Sequence, residues 1–319
     1  MAPYSKPYLP VSDQLALIKS RGMIVTDDAL AQAYLNRIGY YRLSGYWYPY
    51  RIAKTLSDKI EVTDQFREDT KFSEVVELYV FDKRLRLLMM DVIERIEIAL
   101  RVQITLQLGK QGAMAHRDPA SLHPNFTTRL DPVTQESGHA KWLRLHDEAF
   151  ARSKEEFAKH FKEKYSGEFP PIWIAAELWD FGHMSFLYAG MKKADQDQVA
   201  RIFNVPSFKV LSSWLHYINV SRNICAHHSR FWNKPNAARP VWPTAAECPD
   251  LGHIENDTRA KTRIYGLACM CAHLLKSINP SSRWKDRFKT EVQDFPDSKI
   301  LDLSAAGFPV DWDKANLWN

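Results

Sequence analysis

The sequence lacks the motifs that mark the common nucleotide-binding and hydrolytic enzymes. None of the patterns G-x-x-x-x-G-K-[ST], G-x-G-x-x-G, G-x-S-x-G and H-E-x-x-H occurs in its 319 residues. A phosphate-binding loop, a dinucleotide-binding fold, an esterase nucleophile and a helical zinc-protease site are therefore not predicted. Any chemistry has to come from side chains outside these motifs.

Cysteines and long apolar runs are also scarce. The four cysteines match no zinc-binding spacing, and so few in a long chain are typical of a reducing compartment. The amino terminus contains no apolar stretch that resembles a signal peptide, and no run of about 18 apolar residues predicts a membrane span. We therefore expect a cytoplasmic protein that has no membrane partner.

The chain has no strong excess of either charge. Its net charge of +5 comes from 43 basic and 38 acidic residues, which are interleaved along the sequence. This balance is compatible with a polyanionic partner such as RNA but does not require one. The pattern is typical of solvated helix faces in a globular protein.

Apolar residues recur at helical spacing through most of the chain, which predicts an all-α fold. The longest such segment runs from residue 73 to about 110. Two short helices precede it, one capped by Ser12 and one by Thr26, and are expected to form a small hairpin. The aromatic block around Gly45 and Pro49 is expected to be irregular or extended. We predict three parts, namely a hairpin with an aromatic–basic segment, a helical bundle and a C-terminal extension, over residues 1–70, 71–280 and 281–319.

The stretch SRNICAHHSRFWN, residues 221–233, concentrates the residues most suited to chemistry. Asn223 and His227 are four apart and share a helix face, whereas Arg222 and His227 are separated by about 140° on an ideal helix. The two could still converge through the long arginine side chain or through loosening of the helix end. Arg230 could add a second cation to this surface.

These side chains suit metal-free cleavage of RNA, in which the 2′-hydroxyl is the nucleophile. Histidine moves protons near neutral pH, and arginine stabilises charge on phosphate oxygens. His227 and Arg222 would take these roles, while Asn223 orients the imidazole or holds a phosphate. Two other interpretations stay open: the Arg and His are structural, or His227 and His228 bind a metal together with Cys225.

Two further groups of residues are candidates for supporting roles. The block IGYYRLSGYWYPYR mixes aromatic and basic side chains, so Tyr41, Arg42 and Arg51 could contact RNA by stacking and charge. The favoured alternative is that these aromatics dock the N-terminal hairpin on the bundle. On the long helix, Glu97 and Arg101 are four apart and are expected to pair, or to hold the motif residues in place.

Several segments together resemble the Abi (abortive infection) family of bacterial phage-resistance proteins. They are YLNRIGYYRLSGYWYPYR near the amino terminus, FDKRLRLLMMDVIERIEIALR, PPIWIAAELWDFGHMSFLY and RNICAHHSRFWN. The resemblance spans about residues 6–280, and it implies the HEPN superfamily, whose hallmark is Arg, a polar residue, then His. Arg222, Asn223 and His227 fill that pattern.

The resemblance implies an HEPN-like helical bundle and a cofactor-free, metal-independent endoribonuclease. It also implies a homodimer that shares its site between subunits and a small non-coding RNA as a further partner. His228 and Arg230, which flank the motif residues, are expected to contact RNA. Two alternatives remain: a non-catalytic RNA-binding module of the same fold, and a bundle that only binds proteins, in which the Arg and His stabilise a dimer.

Overall fold

The computed structural model describes residues 7–56 and 59–319, and most of these residues are helical. The predicted all-α fold is confirmed, since the sheet formed by the described residues has only two strands. The long periodic segment forms one helix, which we call α4 (Phe72–Gly109). Its fully buried side chains recur every three or four residues, and among them are Leu78, Leu85, Val92, Ile96, Leu100 and Ile104. The core is built around this helix.

The N-terminal helical hairpin is also confirmed. It consists of α1 (Val11–Ser20) and α2 (Asp28–Ile38), which pack against each other. The predicted caps are wrong by one or two positions. Helix α1 begins after Pro10, and α2 is capped by Asp27, whose carboxylate accepts a hydrogen bond from the Leu30 amide at 2.9 Å.

The aromatic block, which was expected to be irregular or extended, is mostly helical. It forms α3 (Tyr40–Trp47) and a 3-10 turn (Tyr48–Tyr50), followed by the antiparallel strands β1 (Arg51–Leu56) and β2 (Lys59–Phe66), which the sequence analysis missed. Leu43, Tyr46, Trp47 and Tyr50 are spaced so that one helical face buries them all. This burial outweighs the weak helix propensity of the glycine inside α3.

The remaining helices complete a bundle around α4. They are α5 (Pro124–Thr128), α6 (Gly138–Arg152), α7 (Glu156–Lys164), α8 (Ile172–Ala175), α9 (Phe181–Gly190), α10 (Lys193–Ile202), α11 (Phe208–Ala226), α12 (Thr258–Thr262), α13 (Ile264–Ile278) and α14 (Trp284–Gln293). Helix α4 packs against α3, α8, α9, α10, α11, α13 and α14. This packing places both the aromatic block and the 221–233 motif beside α4.

The C-terminal residues are part of the same core. Trp284 and Phe288 of α14 are buried, and Phe288 stacks on Trp318 with ring centroids 5.1 Å apart. Trp318 in turn donates a hydrogen bond to the Tyr265 hydroxyl of α13 at 3.0 Å. None of the helices in the described ranges combines the length and apolar character that a membrane crossing requires.

Candidate functional site

Helix α11 carries the 221–233 motif and ends inside it, at Ala226. Its buried face is largely apolar, and Ser221 and Cys225 of the motif lie on that face. Arg222 is half-buried, whereas Asn223, His227 and His228 are exposed to solvent. The motif therefore presents two imidazoles at the end of a helix whose opposite face is fixed in the core.

Arg222 borders an open groove beside α4, with a volume of about 570 Å³. Glu94, Glu97 and Arg101 of α4 line the same groove. Nη1 of Arg222 donates a hydrogen bond to Oδ1 of Asn223 at 3.4 Å. Glu97 and Arg101 form an ion pair at 3.4 Å. The two residues therefore pair with each other, and they also lie next to the motif.

The charge of Arg222 acts on carboxylates of two neighbouring elements. Burial raises the pKa of Glu97, and the nearby charges of Arg222 and Arg101 offset only part of this rise. Hydrogen bonding from His183 lowers the pKa of Asp180 to about 2, and Arg222 contributes to that lowering. The guanidinium therefore lies in the field of acidic groups from α4 and from the start of α9.

Arg222 lies on α11, whereas His227 lies just past its end. Helix α11 ends at Ala226, and His227 follows it as the C-cap with φ −85° and ψ 11°, so the helix ends where the HHSRFWN segment begins, as the sequence allowed. No hydrogen bond joins the two side chains, both of which belong to the described residues. Because His227 lies outside the helix, the angle of about 140° that an ideal helix would impose between the two side chains does not apply.

A buried ion pair on α4 anchors the turn that follows the two histidines. Asp82 is fully buried and accepts hydrogen bonds from the backbone amides of Phe231 and Trp232, at 3.2 and 2.7 Å. It also accepts one from the Tyr46 hydroxyl at 2.7 Å and forms an ion pair with Arg86, one turn along α4. This pair was not predicted from the sequence, although two charged residues inside an apolar stripe are a usable signal.

Helix α3 and the turn of the motif are joined by two hydrogen bonds, each from an arginine of one to a backbone carbonyl of the other. Arg42 donates a hydrogen bond to the His228 carbonyl at 2.6 Å, and Arg230 donates one to the Gly45 carbonyl. Arg230 is half-buried in this contact. These two bonds hold α3 against the histidines, and they place Arg42 next to His228.

The aromatic block divides into buried and exposed members. Tyr46, Trp47 and Tyr50 are buried between α3 and the bundle, as expected of residues that dock the N-terminal segment. Tyr41 is 91% exposed and lies next to Arg42 in sequence. Arg51 pairs with Asp64 of β2 at 2.9 Å, so the structure ties it to the hairpin rather than to the motif.

The three side chains that could be read as metal ligands do not share one environment. Cys225 is buried, and burial raises the pKa of its thiol to about 12, whereas His227 and His228 are exposed. Among residues 7–56 and 59–319, no group of three or more His, Cys, Asp or Glu side chains is arranged to hold a metal ion.

Comparison with known proteins gives one match. A family model described as Abi-like protein matches residues 33–233, which include α3, the long helix α4 and the whole motif. The chain belongs to the Abi-like protein family. Membership supports a role in abortive infection, a form of defence against bacteriophages. No curated protein and no solved structure matches the chain at a significant level.

Proposed function

We propose that this Abi-like protein is an endoribonuclease of the HEPN type, which cleaves RNA without a metal ion. The observation that carries the proposal is the motif itself: His227 is exposed at the end of a helix that the core holds rigidly, and Arg222 borders an open groove on the same helix. Family membership over residues 33–233 supports it.

Each motif residue has a role that its chemistry suits. The 2′-hydroxyl of a ribose attacks the adjacent phosphorus while the His227 imidazole accepts its proton. The Arg222 guanidinium, which stays charged at any relevant pH, stabilises the negative charge that develops on the phosphate oxygens. The Asn223 side chain accepts a hydrogen bond from Arg222 and so helps to fix the guanidinium.

We propose further that the active assembly is a homodimer. No hydrogen bond joins Arg222 and His227 of one chain, and a second chain would allow the arginine of one subunit to act with the histidine of the other. Leu87 and Ile98, which line the groove with Arg222, are 62% and 50% exposed. Exposed apolar side chains of this kind are typical of a protein–protein contact.

The RNA would lie across the histidines and the neighbouring part of α3. Tyr41 is free to stack on a base, and Arg42 lies beside His228, so both are suited to contact the strand next to the cleaved linkage. His228 and Arg230 extend the same surface, whereas Arg51 is farther along the hairpin. A small non-coding RNA would be recognised by the same chemistry.

The proposal is tested by mapping RNA ends in cells that express the protein. Wild-type protein should be toxic and should generate RNA fragments ending in 2′,3′-cyclic phosphate at a limited set of sites. The variants His227→Ala and Arg222→Ala should lose both effects, because each removes one group that acts on the phosphate. Sequencing of RNA that co-purifies with His227→Ala would identify the bound substrate.

A matched control separates the site from general effects of losing a histidine. His216 is also exposed and lies on the same helix, three turns before His227, so His216→Ala should cleave like the wild type. The proposal fails if no cleavage occurs while Arg222→Ala and Arg230→Ala weaken salt-dependent RNA binding. That outcome would assign the protein as a non-catalytic RNA-binding module.

A further inference from the structure

His228 has a backbone conformation that usually favours glycine. The Ser229 amide donates to the Ile224 carbonyl and the His228 amide to the Cys225 carbonyl, both at 3.0 Å, which closes the helix in a Schellman motif. This motif requires a left-handed backbone conformation at the position of His228, and the φ of His228 is 55°. A side chain here carries a steric cost, and the exposed imidazole gains no burial in return.

The strained residue is held on a rigid frame from two sides. Arg42 of α3 binds the His228 carbonyl at 2.6 Å, and Arg86 of α4 donates to the next carbonyl, that of Ser229, at 3.3 Å. The Asp82 carboxylate accepts hydrogen bonds from the backbone amides of Phe231 and Trp232, which come next along the chain. The backbone on both sides of the His228 ring is thus fixed, while the ring itself faces solvent.

The proposed reaction needs a second proton-transfer group. Cleavage of the phosphodiester by the 2′-hydroxyl removes one proton and must deliver another to the departing 5′-oxygen. In each shared site of the proposed dimer, the His227 of one subunit accepts the first, and neither the Arg222 of the other subunit nor Asn223 can supply the second, because a guanidinium does not release its proton and an amide is not an acid. A histidine is the side chain best suited to donate near neutral pH.

We propose that His228 is this general acid and is therefore a catalytic residue. The inference rests on the proposed ribonuclease function. The 2′-hydroxyl proton passes to the His227 imidazole as the bond from O2′ to phosphorus forms. The bond from phosphorus to O5′ breaks, and O5′ takes a proton from the His228 imidazolium. The products are a 2′,3′-cyclic phosphate and a 5′-hydroxyl, and exchange with water restores both imidazoles.

The test compares two leaving groups at one cleavage site. The first substrate is an oligonucleotide with an ordinary linkage, and the second carries sulfur in place of the 5′-oxygen, so that its thiolate leaves without a proton. His228→Gly should cleave the first about 10²–10⁴-fold more slowly than the wild type, and the second within about tenfold of it. His227→Ala should be slow on both substrates, because both need the 2′-hydroxyl proton removed.

Glycine at position 228 also guards against a trivial loss of fold. Glycine adopts positive φ without steric cost, so His228→Gly should melt no lower than the wild type. Gln135 provides the matched control, since it is exposed with the same φ of 55° in another loop. Gln135→Gly should cleave both substrates at the wild-type rate.

Three results would overturn the inference. The first is undiminished cleavage of the ordinary linkage by His228→Gly, and the second is an equal loss on both substrates. The third is a Glu97→Gln variant that cleaves the ordinary linkage slowly but the sulfur-containing substrate at the wild-type rate. That result would assign the proton donor to the Glu97 carboxyl in the Arg222 groove. A wild-type protein that cleaves neither substrate would overturn the proposed function itself, and with it this inference.

Discussion

His116 and His146 lie side by side in the core, and acid should therefore destabilise the fold. Both are buried, with 0% and 1% of their surfaces exposed, and their ring centroids are 5.9 Å apart. Neither ring nitrogen of either residue has a hydrogen-bond partner among the described residues. Burial, together with the neighbouring His146 and the charge of Arg117, lowers the pKa of His116 to about 3, and burial lowers that of His146 to about 4.

The sign of the effect follows from where the protons bind. In the unfolded chain each imidazole takes up a proton below about pH 6.5, while in the folded protein it stays neutral to much lower pH. The unfolded state therefore binds more protons, and stability falls as the pH drops below 6.5. Each pH unit below that value costs about 1.4 kcal/mol per histidine, so at pH 5 the pair contributes a loss of about 4 kcal/mol.

The assay is urea unfolding at pH 7 and pH 5. The double variant with His116→Phe and His146→Phe keeps aromatic rings in the core but removes both titrating groups, so its stability should fall by about 4 kcal/mol less than that of the wild type between the two pH values. His160→Phe, which removes an exposed histidine from α7, should behave like the wild type. An identical pH dependence in the wild type and the double variant would refute this reasoning.

Two other predictions concern the motif and its support. Asp82→Ala should lower the free energy of unfolding by about 3–5 kcal/mol in urea titrations, because it leaves Arg86 buried without its counter-charge. The control is Asp286→Ala, which removes an exposed carboxylate. A loss below about 1 kcal/mol for Asp82→Ala, or one equal to that of the control, would contradict the prediction. Mixing inactive Arg222→Ala with inactive His227→Ala should restore about a quarter of wild-type cleavage, since half the dimers would be mixed and each would contain one intact site. No recovery from subunits shown to exchange would rule out a site shared between chains.

The long helices were predictable because their buried residues recur at a regular spacing. Helices α4 and α11 bury residues every three or four positions over many turns, and Ser207 caps α11 as its sequence indicates. Such a pattern is the strongest signal that a single sequence contains. The breaks between helices were harder to predict: residues 140–164 contain no proline or glycine, yet α6 ends at Arg152 and α7 begins at Glu156.

The N-terminal block was mispredicted because tertiary contacts decide its structure. Gly45 and Pro49 suggested a loop, but Tyr46 bonds to Asp82 and Trp47 fills the core, so the segment is helical. The β1–β2 hairpin buries few side chains, since Phe66 alone among its described side chains is buried. Its sequence therefore lacks the alternation of apolar and polar residues that predicts a strand.

The candidate site could be proposed from its residues, but its geometry could not be predicted. The spacing of Arg222, Asn223 and His227 identified the motif, yet it could not show that Arg222 faces α4 while His227 faces solvent. The left-handed backbone of His228 and its bond to Arg42 depend on a contact between residues 186 positions apart. No local pattern encodes such a contact.

The most direct measurement is cleavage of end-labelled RNA by the purified protein in the presence of EDTA, with wild type and His227→Ala side by side. We predict that the wild type cuts at discrete linkages and leaves 2′,3′-cyclic phosphate, and that the variant leaves the RNA intact. Cleavage that disappears in EDTA, or that survives unchanged in His227→Ala, would contradict the assignment of proton transfer to that imidazole.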